Sequence, residues 1–184
     1  MFEDYLVREF ATSFFVKQTP RSVLLEYVEI GRRGDKVDLL LFVANLKLIA
    51  LKEAVFISSF LKKLRRYIDH QKNLLSIPLD KKKRYFVKLI PSLNPETNAS
   101  IIAKTLKGKL ELRMPIRLAI QEVVSGIVER REVRGLKIEV NSDPFGSPVK
   151  YLYGRISLAK FQNFIRYAKE TVFTNNRGTL GVKV

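Results

Sequence analysis

The residues of this chain that can do chemistry by type and spacing are its cations. Between positions 61 and 84 stand Lys62, Lys63, Arg65, Arg66, Lys72, Lys81, Lys82, Lys83 and Arg84, with only Asp69 and Asp80 to oppose them. Two readings fit such a run: a solvated helix face followed by a charged loop, or a surface that contacts phosphates. A soluble helix normally mixes signs, so the near-uniform sign favours the second. Lys and Arg set against a nucleic-acid backbone release its condensed counterions, and that release dominates sequence-independent affinity. Lys47 and Lys52 precede this run. A second basic set follows it, Arg117, Arg130, Arg131, Arg134, Arg155, Lys160 and Arg166. These later cations are interrupted by apolar residues at core spacing, which places them on a folded scaffold. The whole chain of 184 residues has 34 Lys and Arg against 18 Asp and Glu, a net charge of +16. Its partner is therefore expected to be a polyanion, either a nucleic acid or an anionic membrane surface.

Other chemistries are excluded by what the chain lacks. There is no cysteine and a single histidine, His70, so no thiolate nucleophile, disulfide, Cys-ligated zinc or Cys–His dyad can form. No G-x-x-x-x-G-K-[ST] phosphate loop occurs. Gly31-Arg32-Arg33-Gly34 is too short for a dinucleotide fingerprint and reads as a strand-linking turn. Glu129 and Glu132 lie three apart on a helix among Arg130, Arg131 and Arg134, a pattern of solvated ion pairs. No catalytic constellation, metal site, cofactor or small-molecule substrate is expected, and the chain does not read as an enzyme. Glu3 and Asp4 argue against a secretory signal or an Arg-rich transit peptide. The most apolar region, 39–61, is broken by Asn45, Lys47, Lys52 and Glu53, short of the ~20 apolar residues of a spanning helix. A membrane partner is set aside on that ground, leaving nucleic acid.

The elements that must carry these charges can be read from periodicity. Leu6, Phe10 and Phe14 give a helix over 4–17, stopped at Thr19-Pro20. Residues 22–30 and 36–43 read as strands joined by a turn over 31–35. Phe56, Phe60, Leu64 and Ile68 stripe one face of a helix over 46–75, with the cations on its flanks, and 85–90 is a third strand. Asn94-Pro95-Glu96 supplies a helix start, and a further helix opens at Pro115 with Ile120, Val123, Val124 and Ile127 in its buried stripe. Strands follow at 135–140, 149–156 and 179–184. Residues 164–174 fit either helix or strand. Tyr27, Tyr85, Tyr151 and Tyr153 fall in strands, where core packing is the usual role and base stacking the alternative. The fold class is α+β, divided near 92: a three-stranded sheet with helices over 1–92, then a helix-plus-antiparallel-sheet domain over 93–184.

The order α-β-β-α-β with a basic segment resembles a type II KH domain. Read with both halves together, the chain resembles the KH-containing third protein of the small ribosomal subunit, the bacterial-type S3 family. The resemblance rests on Tyr27 to Val37, on Asn94-Pro95-Glu96 with Ile101-Ile102-Ala103, on Arg134-Gly135-Leu136-Lys137-Ile138-Glu139-Val140, on Gly154-Arg155-Ile156, and on Arg177 to Val184. It implies a two-domain protein of the subunit head that contacts small-subunit rRNA and neighbouring head proteins and lies near the channel by which mRNA enters. It also implies that 164–174 is strand. Two departures stand out. The position of the family's G-x-x-G loop, whose backbone clamps nucleotides, is occupied by Leu51-Lys52-Glu53-Ala54. The positions of the family's mRNA-contacting cluster are Arg117, Leu118 and Gln121, so Arg117 alone is the mRNA candidate. The expected RNA-contacting residues are Lys47, Lys52, Lys62, Lys63, Arg65, Arg66, Lys72, Lys81, Lys82, Lys83, Arg84, Arg130, Arg131, Arg155, Lys160 and Arg166. This erosion suggests a divergent organellar copy, in a mitochondrion before a plastid or a reduced bacterium. The alternative reading is a stand-alone KH-like RNA-binding regulator.

Overall fold

The computed structural model of the chain describes residues 2–20, 22–50, 52–76, 83–129, 133–141, 147–174 and 178–184. Helix α1 (Phe2–Gln18) buries Leu6, Val7, Phe10, Phe14 and Phe15, one stripe at spacings of three and four. Strands β1 (Leu25–Arg33) and β2 (Lys36–Val43) pair antiparallel. Their connection is shorter than the five-residue turn expected over 31–35. Arg33 pairs with Lys36, so only Gly34 and Asp35 turn the chain, and Gly34 has φ +58°. A left-handed glycine at the first turn position matches the twist of a tight hairpin, which lets both strands run to the tip. Val37, Leu39, Leu41 and Val43 alternate inward on β2. A register shift between Leu25 and Tyr27 lets Leu25 and Val28 both face the core.

The single helix expected over 46–75 is two helices. A four-residue α2 (Lys47–Ala50) precedes α3 (Glu53–Leu74), and Lys52 at the junction has φ −122° and ψ 19°, outside helical geometry. No proline or glycine marks that break, so periodicity alone ran across it. Strand β3 (Arg84–Pro91) lies parallel to β2 and completes the sheet order β1-β2-β3. Phe60, Leu64 and Ile68 of α3 meet the phenylalanines of α1 and the inner face of this sheet. Phe14 and Phe60 pack edge-to-face with ring centroids 5.0 Å apart, the geometry favoured by aromatic quadrupoles.

Two units are present, Met1–Leu93 and Asn94–Val184. In the second, Pro95–Thr97 is a single 3-10 turn, and Asn94 makes no side-chain capping bond. The helix starts four residues later than its first cap-like signal. Asn98 accepts from the Ser100 amide at 3.0 Å and opens α4 (Ala99–Glu111). Helix α5 (Ile116–Glu129) buries Ile120, Val124 and Ile127. Strands β4 (Gly135–Asn141), β5 (Val149–Gly154), β6 (Lys169–Thr174) and β7 (Gly178–Lys183) form an antiparallel sheet in the order β5-β4-β7-β6. Of the expected strand 164–174 only its second half is strand. The turn expected at 175–178 lies mostly outside the described residues. The core of this unit joins Leu106, Ile120, Ile138, Val140, Val172, Leu180 and Val182. The architecture is α+β throughout, with a three-stranded sheet in one unit and a four-stranded antiparallel sheet in the other.

Candidate nucleic-acid interface

Helix α3 sorts its side chains by charge. Phe60, Leu64 and Ile68 are buried, whereas Lys62, Lys63, Arg65 and Arg66 are exposed. At 100° per residue these four cations span about 160° of the helix on the side opposite the core, within roughly 6 Å along its axis. Among the described residues, Lys62, Arg65 and Arg66 have no ion pair. Lys63 differs, with its ammonium 5.4 Å from the centroid of the Phe14 ring, so its stem also packs on the core edge. Four cations so close repel one another unless a polyanion covers them.

Lys72 and Lys83 belong elsewhere. The Lys72 side chain is 6% exposed and hydrogen-bonds Glu3, and Lys83 approaches the same carboxylate at 2.9 Å. Arg32 joins the cluster through Asp4 at 2.5 Å and Glu3 at 3.4 Å. Burial pushes the Glu3 carboxyl up, but hydrogen bonds and Coulombic attraction from Lys72 and Lys83 outweigh it and hold the pKa at about 2. The expectation that Lys72 contacts phosphate is thus corrected. It is a structural cation tying the end of α3 to the start of α1, and no spacing rule reveals a partner 69 positions away. Lys83 is drawn into the same cluster. Arg84, Lys47 and Lys52 are exposed, and Lys81 and Lys82 lie outside the described residues.

In the second unit Arg117, Arg155, Lys160 and Arg166 are all exposed, as are Leu118 and Gln121 beside Arg117 on α5. Arg130 and Arg131 lie outside the described residues. Of the strand tyrosines, Tyr27 stacks on Phe42 at 4.3 Å between centroids, and Tyr85, Tyr151 and Tyr153 are partly buried. The sequence reading did not single out the aromatics between β5 and β6. Phe161, Phe164 and Tyr167 are exposed there, on a segment that holds no regular structure. Their signal was the absence of any acid over 155–168, a stretch whose second part, from 164, fitted helix and strand equally. No group of His, Cys, Asp and Glu among the described residues is placed to hold a metal, and no described helix is long and apolar enough to cross a membrane.

This arrangement has counterparts in known proteins. The chain is 25% identical over 186 residues to the "Small ribosomal subunit protein uS3c" of Porphyra purpurea, covering 99% of this chain and 73% of that protein. It is 24% identical to the "Small ribosomal subunit protein uS3" of Fervidobacterium nodosum over 188 residues, covering 100% and 83%. The uS3 of Oleidesulfovibrio alaskensis is 28% identical over 188 residues, covering 100% and 79%. The chain is a relative of the bacterial-type uS3 proteins. No family model matches it. The uS3 similarity runs through both units, so both sheets and the basic α3 fall within it. The names of these relatives are those of small-subunit ribosomal proteins.

Proposed function

We propose that the chain is a structural constituent of the small ribosomal subunit head that binds small-subunit rRNA through Lys and Arg contacts to phosphates. Its two units act as a type II KH-like domain over 1–92 and a C-terminal α+β domain over 93–184. The observation that carries this reading is the exposed, unpaired Lys62, Arg65 and Arg66 on the face of α3 away from the core. The similarity to uS3 proteins over nearly the whole of this chain supports it. Folded RNA is recognised largely by shape and by backbone contacts, and such a rigid cationic face suits that mode. The remaining contacts come from Lys47, Lys52, Arg84, Arg155, Lys160 and Arg166, with Lys63 serving both packing and binding. Lys81, Lys82, Arg130 and Arg131, outside the described residues, are further candidates from the sequence. Neighbouring head proteins are the protein partners, and Arg117, exposed on α5, is the mRNA-entry candidate. The compartment we propose is the mitochondrial ribosome, on the erosion of the mRNA-contacting cluster at Leu118 and Gln121.

Sucrose-gradient fractionation of source lysate, probed for the chain, tests this. The expected result is co-sedimentation with small subunits, released only at high salt. A free pool that persists at low salt, together with nanomolar binding to a short single-stranded RNA, overturns it in favour of a stand-alone regulator.

A further inference from the structure

Arg134 and Arg155 are held side by side by the backbone. Gly135 and Gly154 are partners across β4 and β5, and the Arg155 amide donates to the Arg134 carbonyl at 3.2 Å. A Cβ on Gly135 would lie 2.7 Å from the Arg155 oxygen. A Cβ on Gly154, whose φ is +63°, would lie 2.2 Å from the Arg134 oxygen. Only glycine at both positions permits this approach. Both arginines are exposed, and among the described residues neither has an ion pair. The backbone thus sets two unpaired cationic residues next to each other, an arrangement that suits an anion.

They stand on the wall of a cavity of about 810 Å³ in the second unit. Residues of β4, the end of β7 and the segment 155–167 line it. Its cationic side chains are Arg134, Lys137, Arg155, Arg166 and Lys183, against one carboxylate side chain, Glu139, which is already paired with Lys137 at 2.9 Å and Lys150 at 3.9 Å. Phe164 and Tyr167 give the wall two aromatic faces, and the Arg166 guanidinium lies 5.4 Å from the Phe164 ring centroid. The segment is pinned at both ends, by Arg155 to Arg134 and by reciprocal 2.9 Å backbone bonds between Ala168 and Val184. Pinned ends, two free guanidinia and exposed rings combine the features by which single-stranded nucleic acid is held, cations for the backbone and aromatic platforms for the bases.

We propose that this cavity takes one unpaired nucleotide of an RNA strand, its phosphate against Arg134 and Arg155 and its base against Phe164 and Tyr167. The proposal rests on the RNA-binding reading above and deepens it. The volume lies within the roughly 300–1,000 Å³ range of ligand pockets. A nucleoside phosphate can reach such a site free or as part of a strand. The strand is favoured because Lys160 continues the charge along the same segment beyond the cavity lining, where a neighbouring phosphate would lie.

The test uses the full chain and two fluorescein-labelled RNA hairpins that differ at one bulged position, adenosine in one and an abasic ribose in the other. Anisotropy titrations are expected to give about fivefold or tighter binding to the adenosine hairpin. Phe164→Ala with Tyr167→Ala should bring the adenosine hairpin down to the abasic one. Lys62→Gln with Arg65→Gln and Arg66→Gln should weaken both hairpins together and leave their ratio. Equal affinity of the unaltered chain for the two hairpins overturns the proposal, whatever the variants do. Displacement of the hairpin by micromolar AMP overturns it in favour of a free nucleotide, and equal competition by polyglutamate overturns it in favour of an acidic protein. Failure to bind either hairpin at low salt defeats the RNA-binding reading itself.

Discussion

Replacing Lys62, Arg65 and Arg66 together by Gln removes three charges that α3 holds away from the core. All three are exposed and none packs on the aromatic cluster, so the fold should keep its thermal midpoint within a degree or two. Each phosphate contact contributes about 0.7 to 0.9 to the slope of log K against log salt, depending on the nucleic acid. Losing three therefore flattens the slope by roughly 2 to 3. Between 50 mM and 200 mM salt that amounts to a ~20- to 40-fold smaller loss of affinity for the variant than for the parent. The assay is anisotropy with a labelled, folded fragment of small-subunit rRNA, titrated at several KCl concentrations. An unchanged slope with the fold intact would refute the reasoning, because the three cations would then be ordinary solvated charges. Lys63→Gln is the internal contrast. It should lower the slope by about 1 and also cost stability, of the order of 0.5–1 kcal/mol, through its place over Phe14.

Three further outcomes follow from the packing. Glu3 titrates at about 2 when folded, below the ordinary carboxylate range, so its contribution is complete at neutral pH and is lost as pH falls through 4.5 toward 2. Glu3→Gln should flatten that acid limb in pH-dependent unfolding and cost about 2–4 kcal/mol by stranding the buried Lys72 charge; an unaltered acid limb would mean the cluster does not persist in solution. Gly154→Ala places a methyl 2.2 Å from the Arg134 carbonyl in a left-handed backbone, and should cost roughly 2 kcal/mol or more, read as a lower thermal midpoint and lost β4–β5 amide protection in hydrogen exchange. Val124→Asp buries an unpaired carboxylate in the second core and should unfold that unit, whereas full retention of its near-native far-UV spectrum would contradict the packing.

Much of this was legible in the sequence because the relevant forces are local. The α3 stripe, the alternation on β2 and the α5 core follow from periodicity, and the order of elements carried the family resemblance. What escaped was set by contacts distant in sequence or by backbone geometry. Lys72 looked like one more surface cation because its partner, Glu3, is 69 residues away. Asn94-Pro95 looked like a helix start, yet a 3-10 turn intervenes and Asn98 takes the capping role with the Ser100 amide. The break between α2 and α3 has no proline or glycine to announce it. Residues 164–168 fitted helix and strand equally, and the structure gives them neither, as it does the rest of 155–168.

The glycines show most clearly how the two units differ as surfaces for RNA. At the α2–α3 junction Lys52 adopts φ −122°, a conformation open to any residue, and its amide donates back to the Ile49 carbonyl at 2.8 Å. Lys52 therefore needs no glycine, and what it offers a nucleic acid is its exposed side chain rather than a bare backbone. On the proposed reading, binding by the first unit would reduce to charge on a rigid helix, which is sequence-blind and strongly salt-dependent. Glycine is obligatory instead at Gly135 and Gly154, where close backbone approach sets Arg134 beside Arg155 at the wall of an aromatic-lined cavity. If the chain discriminates an unpaired nucleotide from a paired one, the second unit is where that discrimination has a structural basis. The two contributions should therefore separate: α3 variants should change salt dependence for every RNA, and Phe164→Ala with Tyr167→Ala should change only the preference for an unstacked base.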